Sequence, residues 1–139
     1  MREKMAKHYT YFFSEDARSQ AAFYVQVFGG EIVSVMTHGD MPGAREDLKN
    51  KVLHLSVMAG EVNFLMCDEA FNPIQRGNNI YQVMEFTSDA EAHAVFDKLA
   101  DGGKVLHPLK AEFWGALFGQ VEDKFGVLWM ITTEAKQQN

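Results

Sequence analysis

Two side chains interrupt otherwise apolar, strand-like runs, and each could move a proton. In KVLHLSVM (51–58), His54 breaks an aliphatic pattern. An imidazole needs only modest pKa tuning to act as a general base near neutrality; the plainer reading is a hydrogen-bonded interior histidine. In IYQVMEFT (80–87), Glu85 stands where a purely structural strand would carry an apolar residue. A buried carboxylate must be paired, hydrogen-bonded or protonated, whereas one near a strand end is simply solvated. His54 and Glu85 are the leading acid/base or ligand-orienting pair. Trp114, after the linker-like KAEF, would either cover a ligand at the rim of a cleft or close a hairpin core.

Other reactive residue types carry less. His8, His38, His93 and His107 are dispersed without HxH or HExxH spacing and read as surface or loop residues. Cys67, at a strand end, reads as a small buried hydrophobe, and a single cysteine excludes a disulfide framework or a Cys-rich zinc site. Asp123 before KFG reads as a turn-former, and Trp129 as core. Gly29–Gly30 ends a helix and opens a strand, the reverse of the order that cradles phosphate. The same order argues against a methyltransferase, which would need a strand, a Gly-rich turn and a helix to hold its cofactor.

The elements that position these residues follow from periodicity. KHYTYFF (7–13) is strand-like, and EDARSQAAFYVQVFGG (15–30) is a helix with Ser14 as its predicted N-cap. Ala17, Ala21, Tyr24 and Phe28 share one helical face. EIVSVMT (31–37) is a strand, 38–50 a long polar loop, and 51–68 a hairpin turning near Ala59–Gly60. After a connector at 69–79 the order returns: strand 80–87, helix 89–103, strand 104–109 and a closing hairpin within EFWGALFGQVEDKFGVLWM (112–130). Phe23 precedes Gly29–Gly30 by six positions and Phe96 precedes Gly102–Gly103 by the same six, while Gly60 corresponds to Gly126.

This predicts an α+β fold of two βαβββ modules, about 6–68 and 80–133, within a single domain over 1–139. The modules would form a curved mixed sheet with helices outside and a concave pocket. At 139 residues the chain can bury a full core. A net charge of −6 argues against nucleic-acid or anionic-membrane partners. The charged start, MREKMAKHYTYFF, lacks a signal-peptide pattern and no window is long enough to span a membrane, so a cytoplasmic protein is expected.

Phe23–Tyr24, Phe28–Gly29–Gly30, KVLHL with His54, Met66, Asp68, Gly102 to Val105, Pro108, Trp114–Gly115, Phe118–Gly119 and DKFGV with Trp129 together resemble the vicinal oxygen chelate superfamily: glyoxalase I, bleomycin-resistance and fosfomycin-resistance proteins and extradiol dioxygenases. Within it the pattern is most similar to the PhnB-like branch, over almost the full chain. The resemblance implies a homodimer and, in metal-dependent members, a divalent ion held by His, Gln or Glu from the first and last strands of each module. Here those positions are expected at Tyr9, Tyr81, Phe64 and Met130, or one residue along at Thr10, Gln82, Leu65 and Ile131. Neither set suits a divalent cation, so no cofactor is expected, with an unconventional metal site as the alternative.

If Tyr9 and Tyr81 face the pocket, alternation adds Tyr11, Phe13, Val83 and Glu85. Leu53, Leu55 and Val57 would then pack under the helices, leaving His54, Ser56 and Met58 inward. The expected pocket is therefore Tyr9, Tyr11, Ser56, Tyr81, Trp114 and Met130 around His54 and Glu85. Three functions fit: a metal-independent small-molecule binding protein, an isomerase or lyase using His54 and Glu85, and a protein with a vestigial pocket acting through partner contacts.

Overall fold

The computed structural model describes residues 5–135; the first residues of the charged N-terminal segment lie outside them. Eight strands and two helices follow in the order β1 (Thr10–Ser14), α1 (Ala17–Phe28), β2 (Gly30–Thr37), β3 (Val52–Ala59), β4 (Val62–Asp68), β5 (Gln82–Phe86), α2 (Asp89–Ala100), β6 (Lys104–Ala111), β7 (Leu117–Glu122) and β8 (Leu128–Thr133). They fall into two compact units, Met1–Ile74 and Gln75–Asn139. Each unit is βαβββ, with a four-stranded mixed sheet ordered β1-β4-β3-β2 in the first and β5-β8-β7-β6 in the second. The first and last strands of each unit pair in parallel and the others antiparallel. This is the predicted α+β arrangement of two βαβββ modules, with one four-stranded sheet in each. The loop expected over 38–50 contains two single 3-10 turns, His38–Asp40 and Glu46–Leu48.

Helix α1 starts two residues later than its sequence suggests. Ser14 ends β1, and its Oγ accepts from Asp16 N (3.1 Å). Asp16 is the cap, accepting from Ser19 N (3.1 Å) and Ser19 Oγ (2.7 Å), which satisfies an N–H that a helix start otherwise leaves unpaired. Asp68, a motif residue of the resemblance, is structural: its carboxylate accepts from Ala17 N and Val52 N, both at 2.7 Å, tying β4 to α1 and β3.

In the first unit α1 buries Ala17, Ala21, Phe23, Tyr24 and Val27. Tyr24 meets Phe12 at 5.9 Å and Phe64 at 6.2 Å between ring centroids. Leu55 and Val57 are fully buried on the helix-covered face, as alternation predicts, whereas Leu53 is half-buried. In the second unit α2 buries Ala92, Val95, Phe96 and Leu99, and its sheet contributes Val121, Trp129 and Ile131. Burying each large apolar side chain stabilises by about 1.5–3 kcal/mol. One face of each sheet is thus covered by its helix, and the opposite, open face carries the candidate chemistry.

Candidate functional site

Period-two alternation places Tyr11 and Phe13 on the open face of the first unit, 41% and 53% exposed. Their register partners on β4 are Leu65 and Cys67. His54 and Ser56 of β3 share this face, with Met36 and Ser34 of β2 opposite them. The Tyr11 ring lies 5.7 Å from Phe13 and 5.9 Å from His54, tilted against both. Asn63 Nδ2 donates to Ser56 Oγ (2.8 Å) and to the Val57 carbonyl (3.1 Å), fixing the amide beside the aromatic group. Tyr9, just before β1, is 43% exposed.

Cys67 is buried as expected, but it also hydrogen-bonds the Tyr11 hydroxyl. Burial, then this hydrogen bond and the electrostatics of Cys67, push the Tyr11 phenol up to about 12. The Cys67 thiol is also raised, chiefly by burial and further by Asp68 and Glu69, against the lowering effect of the Tyr11 hydrogen bond. Both groups are therefore held neutral near pH 7.

The second unit places Val83 and Glu85 on its open face, both exposed, with Met130 half-buried on β8 and Tyr81 half-exposed just before β5. Glu85 is the solvated alternative of the two readings. His54 and Glu85 belong to different units, so neither sheet by itself assembles the pair. Trp114 is 46% exposed in the turn between β6 and β7, so it does not close a hairpin core. It packs edge-on to Phe118 at 6.3 Å.

The facing of one residue is corrected. Phe64 was counted onto the same face as Met130, yet it is 2% exposed under α1 against Phe12 and Tyr24. The open-face residue at the level of Tyr11 is its neighbour Leu65. His107 sits in β6, within the strand expected at 104–109, part-exposed, edge-on to Phe118 at 5.2 Å, with Nε2 3.7 Å from Glu112 Oε1. Glu112 was not singled out from the sequence, and Phe118 only as a motif residue of the resemblance, because their meeting with His107 depends on a β-bulge that no local pattern announces.

With Leu65 in place of Phe64, the positions that would hold a superfamily metal carry Tyr9, Tyr81, Leu65 and Met130. These donors do not fit a divalent cation, which takes carboxylate or imidazole. Among the described residues no group of three His, Cys, Asp or Glu side chains converges on one point. A cleft of about 300 Å³ does open at the start of α1, lined by Glu15, Asp16, Asp47, Asn50, Lys51 and Asp68. Its innermost carboxylate, Asp68, is occupied by two backbone N–H groups.

Two βαβββ units, each with a helix on one sheet face and an aromatic open face, define a glyoxalase-type fold. Residues 6–131 match the family model for the Glyoxalase/Bleomycin resistance protein/Dioxygenase superfamily, and the chain belongs to that superfamily. It is similar to Protein YjdN of Escherichia coli K12, with 27% identity over 137 residues covering 91% of this chain and 92% of that protein. Among solved structures it resembles protein PA1353 of Pseudomonas aeruginosa, with a TM-score of 0.82 and 30% identity over 94% of this chain and 98% of the other. It also resembles a PhnB protein of Bacillus cereus, named as a candidate 3-demethylubiquinone-9 3-methyltransferase, with a TM-score of 0.79 and 25% identity over 93% and 100% of the two chains. The PhnB-like resemblance read from the motifs is thereby shown. Among the described residues no helix is long and apolar enough to cross a membrane.

Proposed function

We propose that this protein binds a small organic molecule on its aromatic open sheet faces, without the divalent ion used by metal-dependent members of the superfamily. The observation that carries the reading is the Tyr11–Phe13–His54 cluster, whose partly exposed rings stand beside the neutral Tyr11–Cys67 hydrogen bond and the Asn63–Ser56 pair. Apolar ring faces with a few fixed polar groups are the usual make-up of a small-molecule site. Tyr9 adds to this face of the first unit, and Tyr81, Trp114 and Met130 are the proposed contacts on the open face of the second. Methyl transfer is not proposed: Gly29–Gly30 and Gly102–Gly103 both follow helices and lead into strands, so neither pair can cradle a cofactor at a helix start.

The test is calorimetric titration with a panel of planar aromatic compounds, cationic and neutral. Saturable binding that falls at least tenfold (roughly 1.4 kcal/mol) in Tyr11→Ala supports the reading, and the absence of saturable binding across the panel overturns it. Metal analysis of tag-free protein purified without chelators should give far less than one divalent ion per chain. A stoichiometric ion would overturn the metal-independent part. The superfamily resemblance also suggests a homodimer, which light scattering on the eluting protein checks.

The part-exposed His54 ring beside Tyr11 favours one second reading. In it the protein is an isomerase or lyase with His54 as general base on the first unit's open face; Glu85, on the second unit's, is the other acid/base candidate. His54→Ala would then abolish turnover of a ligand found in the panel while leaving the fold intact. Unchanged turnover would remove this reading.

A further inference from the structure

The two open faces treat one polar position differently. Ser34 and His107 each lie four positions after the second glycine of their pair. Ser34 pairs across the sheet with Ser56, and Ser56 with Leu65. His107 pairs with Gln120, and Gln120 with Met130. Gln120 is therefore the second unit's counterpart of Ser56. In the first unit Asn63, two residues before Leu65, donates from Nδ2 to Ser56 Oγ (2.8 Å). The place two residues before Met130 belongs to Leu128, which is buried and apolar. The second unit keeps a polar side chain at this position but not the neighbour that would satisfy it.

Gln120 is half-buried in the middle of its face. Among the described residues its amide makes no hydrogen bond, and neither amide atom is sealed from solvent. The polar groups around it are engaged elsewhere. His107 Nδ1 lies 2.9 Å from the Pro108 carbonyl oxygen, and its Nε2 3.7 Å from Glu112 Oε1. The Thr132 hydroxyl donates to the Leu117 carbonyl (2.8 Å). The remaining surroundings are apolar: Met130 stands directly across the strands, at the roughly 5 Å spacing of such pairs. Phe118 follows on the same strand face, with Trp114 edge-on to it at 6.3 Å. A glutamine amide holds an acceptor and a donor side by side in one plane.

We infer that Gln120 is the polar anchor of the second unit's open face and recognises the edge of a planar cyclic amide, a lactam. The ligand carbonyl accepts from Gln120 Nε2 and the ligand ring N–H donates to Gln120 Oε1, while the ring packs on Met130 and Phe118 beside Trp114. An analogue without that N–H leaves the glutamine oxygen facing an apolar group, which is how a hydrogen-bonding site discriminates. This inference rests on the reading that the open faces take small organic molecules, and it specifies the ligand class for the second unit.

The experiment titrates the full chain by calorimetry with carbostyril, a bicyclic lactam, and with N-methylcarbostyril, which has the same rings but no N–H. The expected result is saturable binding, with the lactam held about tenfold more tightly than its methyl derivative. In proton–nitrogen correlation spectra the Gln120 side-chain amide signals, identified by their loss in Gln120→Met, should shift on adding carbostyril. Gln120→Met keeps the length of the side chain without its hydrogen-bonding atoms and should abolish the preference. Gln120→Val, which suits a strand, serves if Gln120→Met fails to fold. Equal binding of the two compounds, a preference that survives the substitution, or unmoved Gln120 signals overturns the inference while small-molecule binding stands. No saturable binding of either compound overturns the inference, and only failure of the wider panel as well overturns the underlying reading.

Discussion

Trp129 Nε1 donates a 2.9 Å hydrogen bond to Asp123 Oδ2 inside the core of the second unit. The other oxygen of the same carboxylate accepts from Phe125 N (2.8 Å) and Val127 N (3.0 Å). Asp123 therefore forms the β7–β8 turn, as its sequence suggests, and also anchors the largest core side chain. Asp123→Ala would leave a buried indole N–H and two turn N–H groups without their acceptor. Loss of hydrogen bonds to a buried charge should cost about 3 kcal/mol or more, read as a lower urea midpoint. Asp123→Asn keeps an acceptor on one side and should cost less. A loss below about 1 kcal/mol for the alanine variant would show that water replaces the carboxylate.

Acid should weaken the start of α1 through Asp16. The Ser19 side chain, and then the Ser19 backbone N–H, hold this carboxyl below its ordinary value, with Lys51 and Arg18 adding smaller attraction against a small opposing effect of burial. A depressed folded-state pKa means that the unfolded chain takes up the proton first. The contribution is present above the ordinary carboxylate range and is lost as pH falls through the folded value. Asp16→Ala should lower stability by about 1 kcal/mol at neutral pH and flatten this part of the acid limb. An unchanged acid limb in the variant would remove the assignment.

Tyr11 gives a spectroscopic test of the open face in the first unit. The chain has four tyrosines; Tyr11, pushed up to about 12, should ionise after an ordinary tyrosine in a phenolate absorbance titration. Its folded pKa is raised, so the neutral phenol contributes stability below the ordinary tyrosine value, and that contribution is lost as pH rises toward 12. Cys67→Ala should bring the late transition down only part of the way, because burial is the largest cause and Cys67 the smaller one. A complete return to the ordinary value would instead make Cys67 the main cause.

The elements and their duplication were legible because they rest on local periodicity and on paired glycines, which need no knowledge of the partner strand. Facing was legible wherever alternation ran unbroken, as for Tyr11, Phe13, Leu55 and Val57. It failed at Phe64 because the two hairpins differ in length: residues 60–61 join β3 to β4, whereas 123–127 join β7 to β8. Counting four residues from each turn glycine therefore lands on opposite faces. Nearer signals, Phe64 alternating with Met66 and opposite Val57, would have put it under the helix. The His107–Glu112–Phe118 cluster depends on the shape of a bulge and a turn, and no spacing in the sequence encodes it.

The paired glycines make the last prediction, because their two members do different work. Gly29 has φ +81°, and a Cβ built there meets nothing within 4 Å. Gly29→Ala should therefore cost only the strain of a backbone conformation (φ +81°, ψ −179°) essentially confined to glycine, about 1–3 kcal/mol. Gly30 has φ +106°, and a Cβ there would collide with the Met58 carbonyl, part of the strand that Gly30 pairs beside. Gly103 occupies the corresponding place in the second unit, where a Cβ would collide with the Glu122 carbonyl. Carbonyls fixed in a sheet cannot step aside cheaply, so Gly30→Ala and Gly103→Ala should each cost more than Gly29→Ala, by roughly 1–3 kcal/mol. Urea unfolding of the three variants checks the order. If Gly29→Ala proves as costly as the other two, the second glycine of each pair is not required by the close approach of the neighbouring strand.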